Sequence, residues 1–390
     1  MQTKIISFIQ KNFPFLKMGK YAVAVCSLVF LTSDINYAST HIHLVRYSYS
    51  HLPNWSKGSQ HSALPSIRTS CRKILQTHYF FRYGKAQFYK HWKRSCKHLL
   101  KAKHTRSNSK ARKIIENNFT PYLVTTRKQH TGLFTGYYIP IVKGSKYYSK
   151  YYNIPMYAVP KCHSYQRLCP RHMSRKTIVR YHKLPNTKVF AWVHGRINRF
   201  FLEIQGSGII VFENGKKIML AYAGQNGKPY YPIGRYLLKM GYLSREQISM
   251  QSMKLWLLKH PGSIDTILNK NASFVFFRKL HHTNPTGAAG VTLIRKRSLA
   301  VDRKFIPLGS MLWLDTEIPR VGNYAESKKW QHLLVAQDTG GAIKGAVRGD
   351  IFFGVGKIAE SQAGNMRASG RYWIFLPKGK SSLRSFYHLL

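Results

Sequence analysis

The chain has 390 residues, 44% hydrophobic and 14% aromatic, which is enough for two packed domains and too apolar for a disordered polybasic tail. Against 63 Lys and Arg stand only 13 Asp and Glu, a formal net charge of +50. So basic a surface attracts polyanions, and charge alone does not choose among nucleic acid, anionic lipid and anionic wall polymer. The same imbalance confines any carboxylate chemistry to 13 side chains.

The N-terminus has the order of an export signal. Lys11, Lys17 and Lys20 precede an apolar run from Tyr21 to Leu31, and small residues then offer a cleavage point after Ala38. The run is short for a membrane span. Residues 1–38 are therefore expected to be a signal peptide or N-terminal anchor. Cys26 raises lipidation, although Val25 stands where a small residue belongs. Residues 39–67 are polar, rich in His and Ser and without a period, and read as a linker.

Helical patterning begins near Arg68. Phe88, Trp92, Cys96, Leu99 and Leu100 recur on one helix face, and Ile114, Ile115 and Phe119 suggest a helix ending near Asn118. In an exported chain the even set Cys71, Cys96, Cys162 and Cys169 permits disulfides, most simply Cys71 with Cys96 and Cys162 with Cys169. Free thiols and a metal set of Cys162, His163, Cys169 and His172 are the alternatives, the latter at a spacing unlike the usual zinc patterns.

From Leu133 the texture changes to short apolar runs punctuated by glycine. Val189–Val193, Phe200–Gln205 and Ile209–Phe212 read as strands, and Asn214-Gly215 predicts a type I′ hairpin turn. Helices are expected near 233–240 and 246–259. Strands resume at Phe274–Phe277, Met311–Leu314, Leu333–Ala336 and Tyr372–Leu376. The reading is mainly β, with N-terminal helices and helices between strands.

The chemistry gathers near the C-terminus. Val335-Ala336-Gln337-Asp338-Thr339-Gly340-Gly341 runs on through Lys344 to Gly345, Arg348-Gly349-Asp350 opens another apolar strand, and Ala300-Val301-Asp302-Arg303 lies upstream. An isolated Asp at a turn is usually a cap. Three in neighbouring glycine motifs point to a site.

These segments resemble the three-aspartate domain of the membrane-bound lytic murein transglycosylase A family. The resemblance runs in order through Phe134-Thr135-Gly136-Tyr137-Tyr138, Gln205-Gly206-Ser207-Gly208, Ala221 to Gly227, Ile233-Gly234-Arg235, Asn271 to Arg278, Ser298 to Gly309 and Trp373. Cys71 and the Trp92 to Cys96 helix are similar to the N-terminal part of many members. The chain departs at Ile139-Pro140, where many members carry Glu-Pro, and at Asn198.

The resemblance implies a double-psi β-barrel built from two separated segments, 68–140 and 271–385, with an inserted second β domain, 141–270, forming the other wall of a glycan groove. It implies Asp350 as acid/base residue, Asp338 as its catalytic partner and Asp302 as support for the barrel. Thr135, Gly136, Gln205, Ser207, Tyr222, Gly224, Gln225 and Lys344 are the implied substrate-binding positions, since glycans need hydroxyl and amide hydrogen bonds and aromatic faces. The apolar neighbours Ile351, Phe352 and Phe353 predict a raised Asp350 pKa. No cofactor and no metal motif is expected.

The implied reaction cleaves peptidoglycan glycan strands with formation of 1,6-anhydromuramic acid, in the periplasm of a Gram-negative bacterium or at its outer membrane, with an anionic membrane or wall surface as a further contact. The alternatives are a non-catalytic peptidoglycan-binding module and a two-carboxylate glycoside hydrolase using Asp338 with Asp350. Specific nucleic-acid binding is not expected, because the basic residues are spread along the chain without a recognised motif.

Overall fold

A computed structural model of the chain describes residues 42–76, 86–101, 106–127, 130–162, 169–181, 183–323 and 326–387. The expected export segment, with Cys26 and Ala38, lies outside these residues. The first strand, β1 (Ile42–Arg46), leads into helices α1 (Leu64–Leu75), α2 (Ala86–Lys101) and α3 (Asn108–Asn118). Strands β2 (Phe119–Thr126), β3 (Gly132–Ile139), β4 (Ile141–Ser145) and β5 (Ile154–Tyr157) follow, then α4 (Arg175–Ile178), β6 (Val189–Val193) and α5 (Arg196–Gln205). Next come β7 (Ser207–Val211), β8 (Lys217–Gln225), α6 (Ile233–Lys239), α7 (Met250–Lys259), α8 (Ile264–Leu268) and β9 (Val275–Leu280). The chain ends with β10 (Ser298–Val301), β11 (Met311–Pro319), β12 (Ser327–Asp338), β13 (Arg348–Val355), α9 (Lys357–Gly364), β14 (Arg367–Pro377) and α10 (Lys380–Tyr387).

The described strands form two sheets. In the first the order is β1-β2-β14-β11-β12-β10-β13-β3, and β14 also pairs with β3. That extra pairing closes β14, β11, β12, β10, β13 and β3 into a ring, which removes their free edges. Closure depends on the length of β14: Arg367–Gly370 pair with β3, while Trp373–Pro377 pair with β2. Trp313, Trp373, Phe375 and Leu334 fill the core behind the ring. The second sheet, β5-β6-β4-β7-β8-β9, is inserted between β3 and β10. A small apolar cluster joins the two, with Ile209 and Met219 of the insert against Tyr137, Ile139, Ala300, Ile343 and Phe352.

Several expectations need correction. Residues 39–67 are no linker where described: β1 pairs with β2, and Trp55 is buried edge-on against Trp313 with its indole N–H bonded to Glu116 at 2.7 Å. Phe200–Gln205 is the end of α5, because Ile197, Phe200 and Phe201 recur at helical spacing and Gly206 ends the helix at φ 75°. The turn at Asn214-Gly215 has positive φ only at Gly215, with Gly215 N–H bonded to Phe212 O, which is a type I turn with a glycine bulge. Finally, β9 pairs along β8, so the inserted sheet extends through Leu280 instead of ending at residue 270.

Both simplest cysteine pairs are joined, Cys71 to Cys96 and Cys162 to Cys169. The first ties α1 to α2 and is buried. The second removes the two thiols that the alternative metal set required; His163 lies outside the described residues. No described helix is long and apolar enough to cross a membrane. Thr40–Leu390 make one compact unit.

Candidate active site

The ring places Asp350 between two strands. On one side Asp350 stands opposite Ala300 of β10, and on the other opposite Thr135 of β3. In a parallel pair such opposite residues put their side chains on the same face. The Thr135 hydroxyl donates to Asp350 Oδ1 at 2.8 Å and itself accepts from Arg348 Nη2 at 2.7 Å. Arg348 and Asp350 are two apart on β13 and share that face. A guanidinium, a hydroxyl and a carboxyl thus form one chain of hydrogen bonds.

Asp338 ends β12 and is held by three donors. Tyr137 O–H reaches Oδ2 at 2.9 Å, and the Ala288 and Thr339 amides reach Oδ1 at 2.9 Å. Ala288 gets this close because residue 287 is glycine: a Cβ there would lie 2.4 Å from the Gln337 carbonyl oxygen. Gln337 is buried and anchors the strand end to α1, donating to Ser66 O at 3.0 Å and Ser70 Oγ at 2.8 Å.

Burial pushes the carboxyls of both Asp350 and Asp338 above the ordinary carboxylate range. For Asp350 the Arg348 charge and the Thr135 hydrogen bond pull the other way without cancelling the burial effect. For Asp338 the three donors pull down, while the negative charge of Asp350 adds to the rise. The charge of Asp350 thus reaches Asp338. Each is half-buried, with protein around it and a face open to solvent. A carboxyl raised in this way keeps its proton to higher pH than an exposed one and is suited to general-acid work.

Asp302 differs. It is buried, and its carboxylate accepts from the Lys304 and Gly345 amides at 3.0 and 2.9 Å. It ties the end of β10 to the glycine turn that carries Lys344.

The expected contact residues separate into groups. Thr135 touches Asp350 directly. Gly136 faces away from the opening: a Cβ there would meet the Phe353 ring at 2.5 Å and Ala363 Cα at 2.8 Å, so its glycine serves the packing of α9 on β3. Gln205 is turned into the structure, accepting from the Tyr138 amide at 3.0 Å. Ser207 and Gly224 are half-buried on β7 and β8. Tyr222 is 47% exposed on β8, which rules out a core role, and Gln225 at the strand end is exposed and accepts from Ser273 Oγ at 3.3 Å. Lys344 is exposed.

Three residues escaped the sequence reading. Arg348 and Tyr137 sat inside the quoted motifs, but only the strand register shows what they touch. Tyr230 had no motif. It is 37% exposed, and its phenol is pushed up by burial and by the charge of Asp350, so it lies within electrostatic reach of the acid. Two buried amides fix its loop: Asn271 Oδ1 accepts from Tyr231 N–H at 3.1 Å, and Asn226 donates to Met173 O and Ala272 O at 2.7 and 2.8 Å.

Residues 133–278 match the MltA specific insert domain and residues 297–376 the 3D domain. The pairing of these two domains, the insert beside a ring that carries paired aspartates, defines the class. The chain belongs to the membrane-bound lytic murein transglycosylase A family. It is 35% identical over 242 residues to the membrane-bound lytic murein transglycosylase A homolog of Buchnera aphidicola, a match covering 62% of this chain and 65% of that relative. The lytic transglycosylase LtgG of Burkholderia pseudomallei is 32% identical, with TM-score 0.58 over 87% of this chain and 98% of that one. E. coli MltA with bound chitohexaose is 26% identical, with TM-score 0.65 over 87% and 95%. The chain matches just under two thirds of the length of its curated relatives.

Proposed function

We propose that the chain is a lytic transglycosylase that cleaves the β-1,4 bond between N-acetylmuramic acid and N-acetylglucosamine in peptidoglycan, in cell-wall turnover. The observation that carries this reading is the half-buried Asp350 carboxyl, oriented by the Thr135 hydroxyl and pushed above the ordinary carboxylate range by burial. Protonated Asp350 gives its proton to the glycosidic oxygen as the C1–O bond breaks. The 6-hydroxyl of the muramic acid attacks C1 and returns its proton to the Asp350 carboxylate. The product is a 1,6-anhydro sugar, no water is consumed, and the acid is restored. Asp338 faces the cationic sugar and steadies it.

The chitohexaose bound to the related E. coli structure supports a glycan strand as the ligand. The ring of six strands is read as a double-psi β-barrel, with the inserted sheet as the second wall of the groove. Thr135, Ser207, Tyr222, Gly224, Gln225 and Lys344, joined by Tyr230, are the proposed contacts, and Gln205 and Gly136 shape the wall from behind. The name of the relatives supports a place at the membrane, and the export-like N-terminus supports the periplasm.

A two-carboxylate hydrolase is the second reading, favoured by the rise at both Asp338 and Asp350. Digestion in ¹⁸O-water separates the two. A transglycosylase leaves anhydro ends free of ¹⁸O, and a hydrolase leaves reducing ends that carry it.

A further inference from the structure

The chain turns sharply at Arg295-Lys296-Arg297, just before β10. Lys296 takes a left-handed conformation, φ 56°, which is costly for a residue with a Cβ, and its amide bonds Phe352 O at 2.7 Å. The turn brings three consecutive cations to a depression of about 470 Å³. Lys328, Trp330 and His332 of β12 form another wall, sharing a face by strand alternation, with Ile318 and Ser62 completing it. His332 and Asp338 are six residues apart on β12, ~20 Å along the strand, so the depression is separate from the catalytic groove.

No carboxylate lines this depression. None of the ion pairs among the described residues includes Arg295, Lys296, Arg297, Lys328 or His332. Their hydrogen bonds go to neutral groups. Arg297 donates to Ser62 Oγ at 2.9 and 2.5 Å and to Lys296 O at 2.7 Å, and Arg295 donates to Gln362 Oε1 at 3.2 Å. Elsewhere among the described residues most Lys and Arg are exposed to water, which screens them. Here Lys296 and Arg297 are half-buried beside a half-buried His332, and the neighbouring cations act on the lysine and the histidine. Lys296 is pushed down to about 8 by burial and by Arg295, Lys328 and Arg297. His332 is pushed down to about 4 by burial and by Arg297, Lys296 and Lys328. Like charges gathered out of water cost stability unless an anion joins them.

We propose that this depression is an anion-binding site and that its ligand is a phosphate oxyanion, whether of a lipid headgroup or free in solution. Guanidinium and ammonium donors converging from two walls suit a tetrahedral oxyanion better than one planar carboxylate. The site would fasten the enzyme to, or sense, a phosphate-bearing surface while the groove works on the glycan.

The test follows the His332 ring by NMR in the Thr40–Leu390 unit, assigned by its loss in His332→Gln. Inorganic phosphate is titrated at constant ionic strength, and phosphatidylcholine vesicles with and without phosphatidylglycerol are compared. The proposal expects a saturable shift of His332, weakened at least ~10-fold by Lys328→Glu at the exposed rim and unchanged by Lys216→Glu with Lys217→Glu on the distant hairpin. A response to phosphate alone assigns free phosphate, and a response that also needs phosphatidylglycerol assigns the headgroup. Because Lys328 is at the rim, near-UV circular dichroism is expected to show Lys328→Glu folded. A His332 signal that neither phosphate nor anionic vesicles move, or a folded Lys328→Glu protein that binds as tightly as the parent, overturns the proposal.

Discussion

Thr135 and Asp350 face each other across the parallel pair β3 and β13, with the threonine hydroxyl donating to the carboxyl at 2.8 Å. Arg348 stands behind the same hydroxyl at 2.7 Å. Both partners favour the charged form of a group whose burial favours the neutral one.

This relationship predicts a pH effect. Asp350 must be protonated to start the reaction, so kcat/KM falls as pH rises through its raised pKa. Thr135→Val or Arg348→Met removes a group that lowers that pKa. The pKa then rises further, and the alkaline limb of the kcat/KM profile moves to higher pH in either variant. A limb that stays in place, or moves to lower pH, would show that neither group acts on the acid.

Gly136 separates packing from binding. Gly136→Ala drives a methyl into Phe353 and Ala363, and is expected to cost about 1–3 kcal/mol of stability by overpacking. Urea denaturation measures that loss. At a temperature where the variant is folded, its KM for glycan should match the parent's.

The inserted domain rests on a buried ion cluster. Glu203 lies between Arg175, at 2.6 Å, and Arg199, at 3.4 Å, and Arg175 also covers the Phe200 and Phe274 rings. Glu203→Gln leaves two guanidinium groups buried without a countercharge, at an expected cost of about 3–5 kcal/mol. Thermal unfolding checks this, and a shift within the range of surface substitutions would contradict the account.

The two disulfides should differ in weight. Cys71 and Cys96 are 25 residues apart, and Cys162 and Cys169 only 7. Loop-closure entropy gives the longer loop about 3.5 kcal/mol and the shorter about 2.4 kcal/mol. Denaturation of the Cys71→Ala/Cys96→Ala and Cys162→Ala/Cys169→Ala proteins should rank them in that order.

Much of this molecule was readable before folding. Apolar runs and glycine punctuation exposed the strands that carry Asp338 and Asp350, and the one-face pattern of Trp92, Cys96 and Leu99 is the buried side of α2. What failed did so for local reasons. Apolar residues at 200–202 mimic a strand when Ile197 is left out of the count, and the His- and Ser-rich stretch before Leu64 hides Ile42, Leu52 and Trp55, each buried by partners far along the chain. The assignment of Gln205 and Gly136 to the groove followed motif proximity, whereas their side-chain space belongs to Tyr138 and to Phe353. Tyr230 was invisible because its loop is set by Asn226 and Asn271 through bonds that no local pattern announces.

The central claim is that Asp350 moves the proton in an anhydro-forming cleavage. Purified sacculi digested with the Thr40–Leu390 protein and with Asp350→Asn, with products read by mass spectrometry, test it most directly. Fragments ending in 1,6-anhydromuramic acid are expected from the parent, with the variant slower by ~10²–10⁴-fold, the usual worth of a general acid. Equal release of anhydro fragments by the two proteins would contradict the role of Asp350, and reducing ends from the parent would contradict the reaction.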